Sequence, residues 1–191
     1  MKRHWIALGV SFSVIGHGIA ADARPAEVFQ PYLGQIQKLL PPETAMRLPT
    51  EILLGGPGLA PDEINQLIVN VLPSESPPRL TVSLATCESA PYPCLIGSFS
   101  VENVNSAAAQ QALYEHQLKA TPITLSESVM GYLQEGNRLT PPSEVSSVIW
   151  AQDDMVYTVR FLAAERQNIL YMAQSMVMQE PIRGVVSNSS R

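Results

Sequence analysis

The chain has 191 residues, 46% hydrophobic and 15% charged, with a formal charge of −5. That balance supports one domain with an apolar core and excludes a long charged disordered tract. The 12 Lys and Arg residues are scattered singly, so no basic footprint exists for nucleic acid or an anionic membrane.

Lys2, Arg3 and His4 precede an apolar stretch from Trp5 to Ala20, and small residues follow at Ala21-Asp22-Ala23. These are the three regions of a secretory signal peptide over residues 1–23. Cleavage is expected after Ala23, with Ala20 as the competing site. The apolar run is shorter than a spanning helix needs and is broken by Gly16-His17-Gly18. No later stretch is apolar enough to span a bilayer, so the mature chain is expected to have no transmembrane segment and to be exported, periplasmic or extracellular. Without residues 1–23 it holds 10 basic and 16 acidic residues, a formal charge of −6.

The mature chain opens with Val28, Tyr32, Leu33, Ile36, Leu39 and Leu40 at helical spacing, stopped by Pro41-Pro42. Ala45 to Leu54 reads as extended, and Gly55-Gly56-Pro57-Gly58 as a turn. Residues 64–72 fit either a helix face or a β-branched strand; the reading adopted is one helical turn and then a strand ending before a Pro-Ser turn. Leu80 to Leu84 alternates and pairs with it, and Cys94 to Val101 returns as a third strand of an antiparallel meander.

Cys87 and Cys94 flank the turn-rich Glu88-Ser89-Ala90-Pro91-Tyr92-Pro93. In an exported chain this even pair points to a disulfide closing a hairpin loop. The alternatives are free thiols or a redox pair, but the spacing is wider than C-x-x-C and no His or Lys adjoins either thiol.

Asn105 or Ser106 caps a second helix through Leu113 and Leu118, ended by Pro122. Short extended pieces follow from Ile123 to Leu133, with a turn at Glu135-Gly136-Asn137. Ser147–Ala151 and Met155–Phe161 form a hairpin around Gln152-Asp153-Asp154, a turn without glycine. The last helix, Ala163 to about Met178, carries Ile169, Met172, Ala173 and Met176 on one stripe facing the sheet. Gly184–Arg191 is a polar tail holding the sequon Asn188-Ser189-Ser190. The fold expected is α+β: a largely antiparallel sheet of about six to seven strands with two to three helices packed on it, forming one domain over residues 24–183.

The inventory excludes several chemistries. His116 is the only histidine beyond residue 17, so a multi-histidine metal site cannot be built from one mature chain. It follows Glu115 near the end of the second helix, where the helix dipole and solvent favour an imidazolium. No G-x-S-x-G occurs, and Gly97-Ser98-Phe99-Ser100 falls mid-strand. Neither Lys38 nor Lys119 follows a serine by three residues, and Pro57 spoils the glycine turn as a phosphate cradle. Asp153-Asp154 reads as a solvated turn. No catalytic residue, metal site or cofactor is therefore assigned.

What remains is apolar. Tyr132, Trp150, Tyr157 and Tyr171, with Met172 and Met176, come from elements expected to adjoin. They form either a Met-filled core or an adaptable groove for an apolar small molecule or an envelope protein. The function this favours is a non-enzymatic exported binding or interaction module. The alternative is a hydrolase of an envelope polymer, with Glu115, His116 or a glutamate pair as acid and base.

The segment Val148-Ile149-Trp150-Ala151-Gln152-Asp153-Asp154-Met155-Val156-Tyr157-Thr158-Val159, with Asn168-Ile169-Leu170-Tyr171-Met172-Ala173-Gln174-Ser175-Met176, resembles a Trp-containing hairpin plus helix of uncharacterised bacterial envelope modules. Those modules are attached to anti-sigma-factor-like and sporulation-related proteins. The resemblance covers about residues 129–178. It implies a non-catalytic exported domain and brings no catalytic residues with it; the chain departs from such relatives in the expected absence of the membrane anchor they often carry.

Overall fold

A computed structural model describes residues 24–55, 64–88 and 94–184. The proposed signal peptide, the glycine turn beyond Gly55, the centre of the cysteine loop and the sequon lie outside them.

In chain order, a 3-10 turn over Glu27–Tyr32 runs into α1 (Leu33–Leu39), and a two-residue strand β1 (Ala45–Met46) follows. Next comes a meander of β2 (Ile68–Glu75), β3 (Pro78–Ala85) and β4 (Leu95–Asn103). Helix α2 (Ala107–Lys119) leads to a second meander: β5 (Thr121–Thr124), β6 (Met130–Gln134), β7 (Val145–Gln152) and β8 (Met155–Leu162). Helix α3 (Arg166–Met178) and β9 (Ile182–Arg183) close the domain. The fold is α+β. Seven strands form an antiparallel sheet in the order β2-β3-β4-β8-β7-β6-β5, and β1 pairs with β9 separately.

The expected elements move mainly at their ends. The first helix begins as a 3-10 turn, and most of the stretch from Ala45 to Leu54 is irregular. β2 continues through Pro73 to Glu75 instead of ending at Leu72. A strand at the sheet edge tolerates a proline, whose missing N–H breaks no ladder on the open side.

Strand alternation makes the sheet two-faced. On one face Val71, Val82, Phe99, Val159, Val148 and Leu133 form a transverse row, and Leu80, Val101, Tyr157 and Trp150 form the next. All are buried under the N-terminal segment and the stripe Ile169, Met172, Ala173 and Met176 of α3. Gly97 lies on this face beneath the Phe161 ring, where a Cβ would meet ring carbons at 2.4 Å. The opposite face carries Asn70, Ser83, Ser98, Arg160, Ser147 and Gln134 as one cross-strand row. α2 packs over the β6–β7 end of that face through Ala109, Ala112 and Leu113.

The β7–β8 hairpin turns on Asp153 and Asp154, with φ of 51° and 62°. Two successive positive φ values match a two-residue hairpin loop of the I′ kind, and Asp tolerates the left-handed region better than most non-glycine residues. Cys87 and Cys94 are joined across the β3–β4 connection with their Cα atoms 5.5 Å apart. The Thr86 N–H donates to the Cys94 carbonyl at 2.9 Å, extending the ladder into the loop. A loop this short contributes about 2.5 kcal/mol by restricting the unfolded chain. Cys87→Ser/Cys94→Ser is therefore expected to lower urea-unfolding stability by about that amount while keeping a cooperative transition. An unfolded double variant would show the loop to be indispensable.

Candidate functional site

The six residues of the expected apolar groove do not line a common surface. Trp150, Tyr157, Met172 and Met176 are fully buried in the main core, with the Trp150 and Tyr157 rings stacked at 5.3 Å between centroids. Tyr157 Oη donates to the Ala45 carbonyl at 2.8 Å, which satisfies the buried hydroxyl. Tyr132 pairs with Ile149 and packs on the opposite face, against α2. Tyr171 is 52% exposed on the outer side of α3. The groove is replaced by a core: Trp150 and Tyr157 share the face of Val148 and Val159, and α3 lies directly on it.

A concave feature with several convergent polar groups lies on the other face. A cavity of about 400 Å³ lies at the C-terminal end of α2, above β4, β8 and β7. Its polar lining includes Ser98, Arg160, Ser147, Ser143, Gln134 and His116, and its apolar lining Leu95, Ile96, Leu139, Val145 and Leu162. Register explains the polar group: Ser98 faces Arg160, Arg160 faces Ser147, and Ser147 faces Gln134 on successive strands.

α2 brings His116 to this row. Ala109, Ala112, Leu113 and His116 fall at i, i+3, i+4 and i+7, so the imidazole sits on the sheet-facing stripe. His116 is only 8% exposed, not the solvated helix-end imidazolium expected from its sequence position. That spacing is the sequence signal that identifies it. Ser147, 7% exposed, carries no comparable signal, because the sequence does not distinguish which of two adjacent serines in β7 faces the helix. Its neighbour Ser146 faces the core and accepts the Gly136 N–H at 3.0 Å.

His116 Nδ1 lies 2.8 Å from the Ala112 carbonyl, and Nε2 lies 2.9 Å from Ser147 Oγ. A carbonyl only accepts, so Nδ1 carries the proton, and in the neutral ring Nε2 accepts from the Ser147 hydroxyl. Burial pushes the His116 pKa below its usual value, against the Ala112 carbonyl bond, which raises it; Arg160 lowers it further and Glu115 raises it. A group whose folded pKa is depressed stabilises the fold above its unfolded pKa, near 6.5, and loses that contribution as pH falls through the folded value. Native stability should therefore decline below about pH 6.5 more steeply than in His116→Gln. Urea midpoints of both proteins at pH 7.5 and 5.0 measure this; parallel declines would show that His116 is not responsible.

The Ser147–His116 contact has the form of a nucleophile and base, but Nδ1 is held by a carbonyl in place of a carboxylate. Ser147 also sits within a strand whose backbone N–H groups are engaged in the ladder, so no pair of them is directed at an oxyanion. Among the described residues no group of His, Cys, Asp or Glu is placed to hold a metal. No family model, curated protein or solved structure matches the chain.

Proposed function

We propose that the chain is an exported, non-enzymatic binding module of the bacterial envelope, and that its ligand site is the cavity beside α2. The observation that carries this is the cavity itself, which combines a few convergent polar groups with apolar side chains, the usual composition of a small-molecule site. Export is supported by the signal-like residues 1–23 and by the joined Cys87 and Cys94. Among the described residues no helix is long and apolar enough to cross a membrane. The envelope assignment rests on the resemblance of residues 129–178.

A fragment screen followed by amide NMR tests the site. Ligand-induced shifts should concentrate at His116, Gln134, Leu139, Ser147 and Arg160. Shifts centred elsewhere, or none across the screen, would overturn the assignment.

The Ser147–His116 hydrogen bond favours one second reading, a hydrolase with Ser147 as nucleophile. A fluorophosphonate probe separates the two. The binding reading expects no adduct, whereas stoichiometric labelling of Ser147 would establish the hydrolase.

A further inference from the structure

The cavity differs in charge from the chain that forms it. The protein has 17 acidic residues against 12 basic, yet no carboxylate lines the cavity and one guanidinium, that of Arg160, does. Among the described residues Arg160 makes no ion pair. Its cross-strand neighbours on either side are Ser98 and Ser147. Arg160 and both serines line the same cavity, so an acidic group held there can meet the guanidinium and a serine hydroxyl together. The Ser147 proton is already committed to His116, so of the two neighbours Ser98 has the available hydroxyl donor. With the imidazole neutral, the lining offers one full positive charge, which suits a monoanion better than a phosphate dianion. A planar carboxylate also matches the two-pronged guanidinium.

The apolar residues are separated from this polar row along the strand direction. Val145 faces Leu162, each two residues from Ser147 and Arg160 and on the same sheet face, and Leu139 lines the cavity with them. The site therefore has a charged end and an apolar end.

We infer that the cavity takes a small amphipathic monocarboxylate, its carboxylate on Arg160 and Ser98 and its apolar end against Val145, Leu162 and Leu139. This rests on the reading of the cavity as the ligand site, and goes further by naming the ligand class.

Titration of the full chain with octanoate, 1-octanol and inorganic phosphate, followed by calorimetry and by the His116 ring signals, tests it. Octanoate should bind and move those signals, while octanol and phosphate bind at least about tenfold more weakly. Arg160→Gln, at an exposed side chain, should weaken octanoate by about tenfold or more and leave the urea midpoint unchanged. Ser98→Ala should weaken it by a smaller factor. Octanol binding as tightly as octanoate, or an unaffected Arg160→Gln, would overturn the acidic-ligand inference while the cavity remained the binding site. Phosphate matching octanoate would overturn the apolar end. Absence of octanoate binding would overturn the inference outright, and the fragment map would then decide separately whether the cavity binds anything.

Discussion

Replacing Trp150 with alanine should cost about 4 kcal/mol of folding stability, the largest loss expected from any single truncation in the chain. The indole is fully buried, stacks on Tyr157 and occupies the second apolar row of the sheet beneath α3. Deleting it removes the transfer free energy of a large aromatic and leaves a cavity that two packed layers cannot readily close. Its Nε1–H donates to Gln152 Oε1 at 3.4 Å, a contact too long to add much. Equilibrium urea unfolding of Trp150→Ala, with Trp150→Phe as the volume-sparing control, measures the effect. A loss below about 1 kcal/mol would mean that the ring lines a groove and that the core is packed otherwise.

Arg47→Ala should cost about 3 kcal/mol through a different mechanism. Arg47 is buried where the chain leaves β1, and its guanidinium joins three separate pieces of the fold. Nη1 donates to the Val177 carbonyl at 3.3 Å and to the Gln179 carbonyl, capping the end of α3, while Nη2 pairs with Asp153 Oδ2 at 2.6 Å in the β7–β8 turn. Asp153 is 60% exposed, so losing its partner leaves a solvated carboxylate and little penalty. The cost lies mainly in the buried Gln179 carbonyl at the cap of α3, because the Val177 carbonyl also accepts from Gln152 Nε2 at 3.1 Å. Part is offset, because Nε of Arg47 is buried without a partner and its desolvation is relieved. Arg47→Met, which keeps the packed stem, should recover about 1 kcal/mol of the loss. Equal stabilities for the alanine variant and the native protein would show that the three contacts do not act in solution.

Much of the sheet was legible because local patterns carried it. β3 alternates, and the turn signal around Gln152-Asp153-Asp154 marks the β7–β8 hairpin, but the loop is one residue shorter than that signal implies, because Gln152 pairs with Met155, and this is what places Trp150 opposite Tyr157 instead of Val156. The α3 stripe follows from spacing alone. What spacing does not supply is the identity of the layer opposite. Tyr132 and Trp150 both lie in strands rich in apolar residues, but Tyr132 faces Ile149 and so points away from Trp150, a fact that depends on the β6–β7 register. The cavity was illegible for the same reason: Ser98, Ser147 and Arg160 come from three strands and become neighbours only when two meanders meet. Arg47 contacts groups more than a hundred positions away, and the β1–β9 pairing joins the two ends of the domain, beyond the reach of any local window.

The seam between β4 and β8 has a kinetic consequence. Each meander is assembled from neighbours in sequence, whereas the central seam pairs Gly97 with Phe161 and Asn103 with Met155 across a helix and three strands. Loop closure on that scale is costly before any contact repays it, so docking of two preformed halves is expected to limit the folding rate. Truncations at Phe99 or Val159, on the two sides of the seam, should then slow refolding, while truncation at Val71 in the edge strand should mainly hasten unfolding. The same seam carries Ser98 and Arg160, one residue from each half. The cavity therefore cannot exist in either half alone, and it is expected to form only in the last step of the chain's assembly.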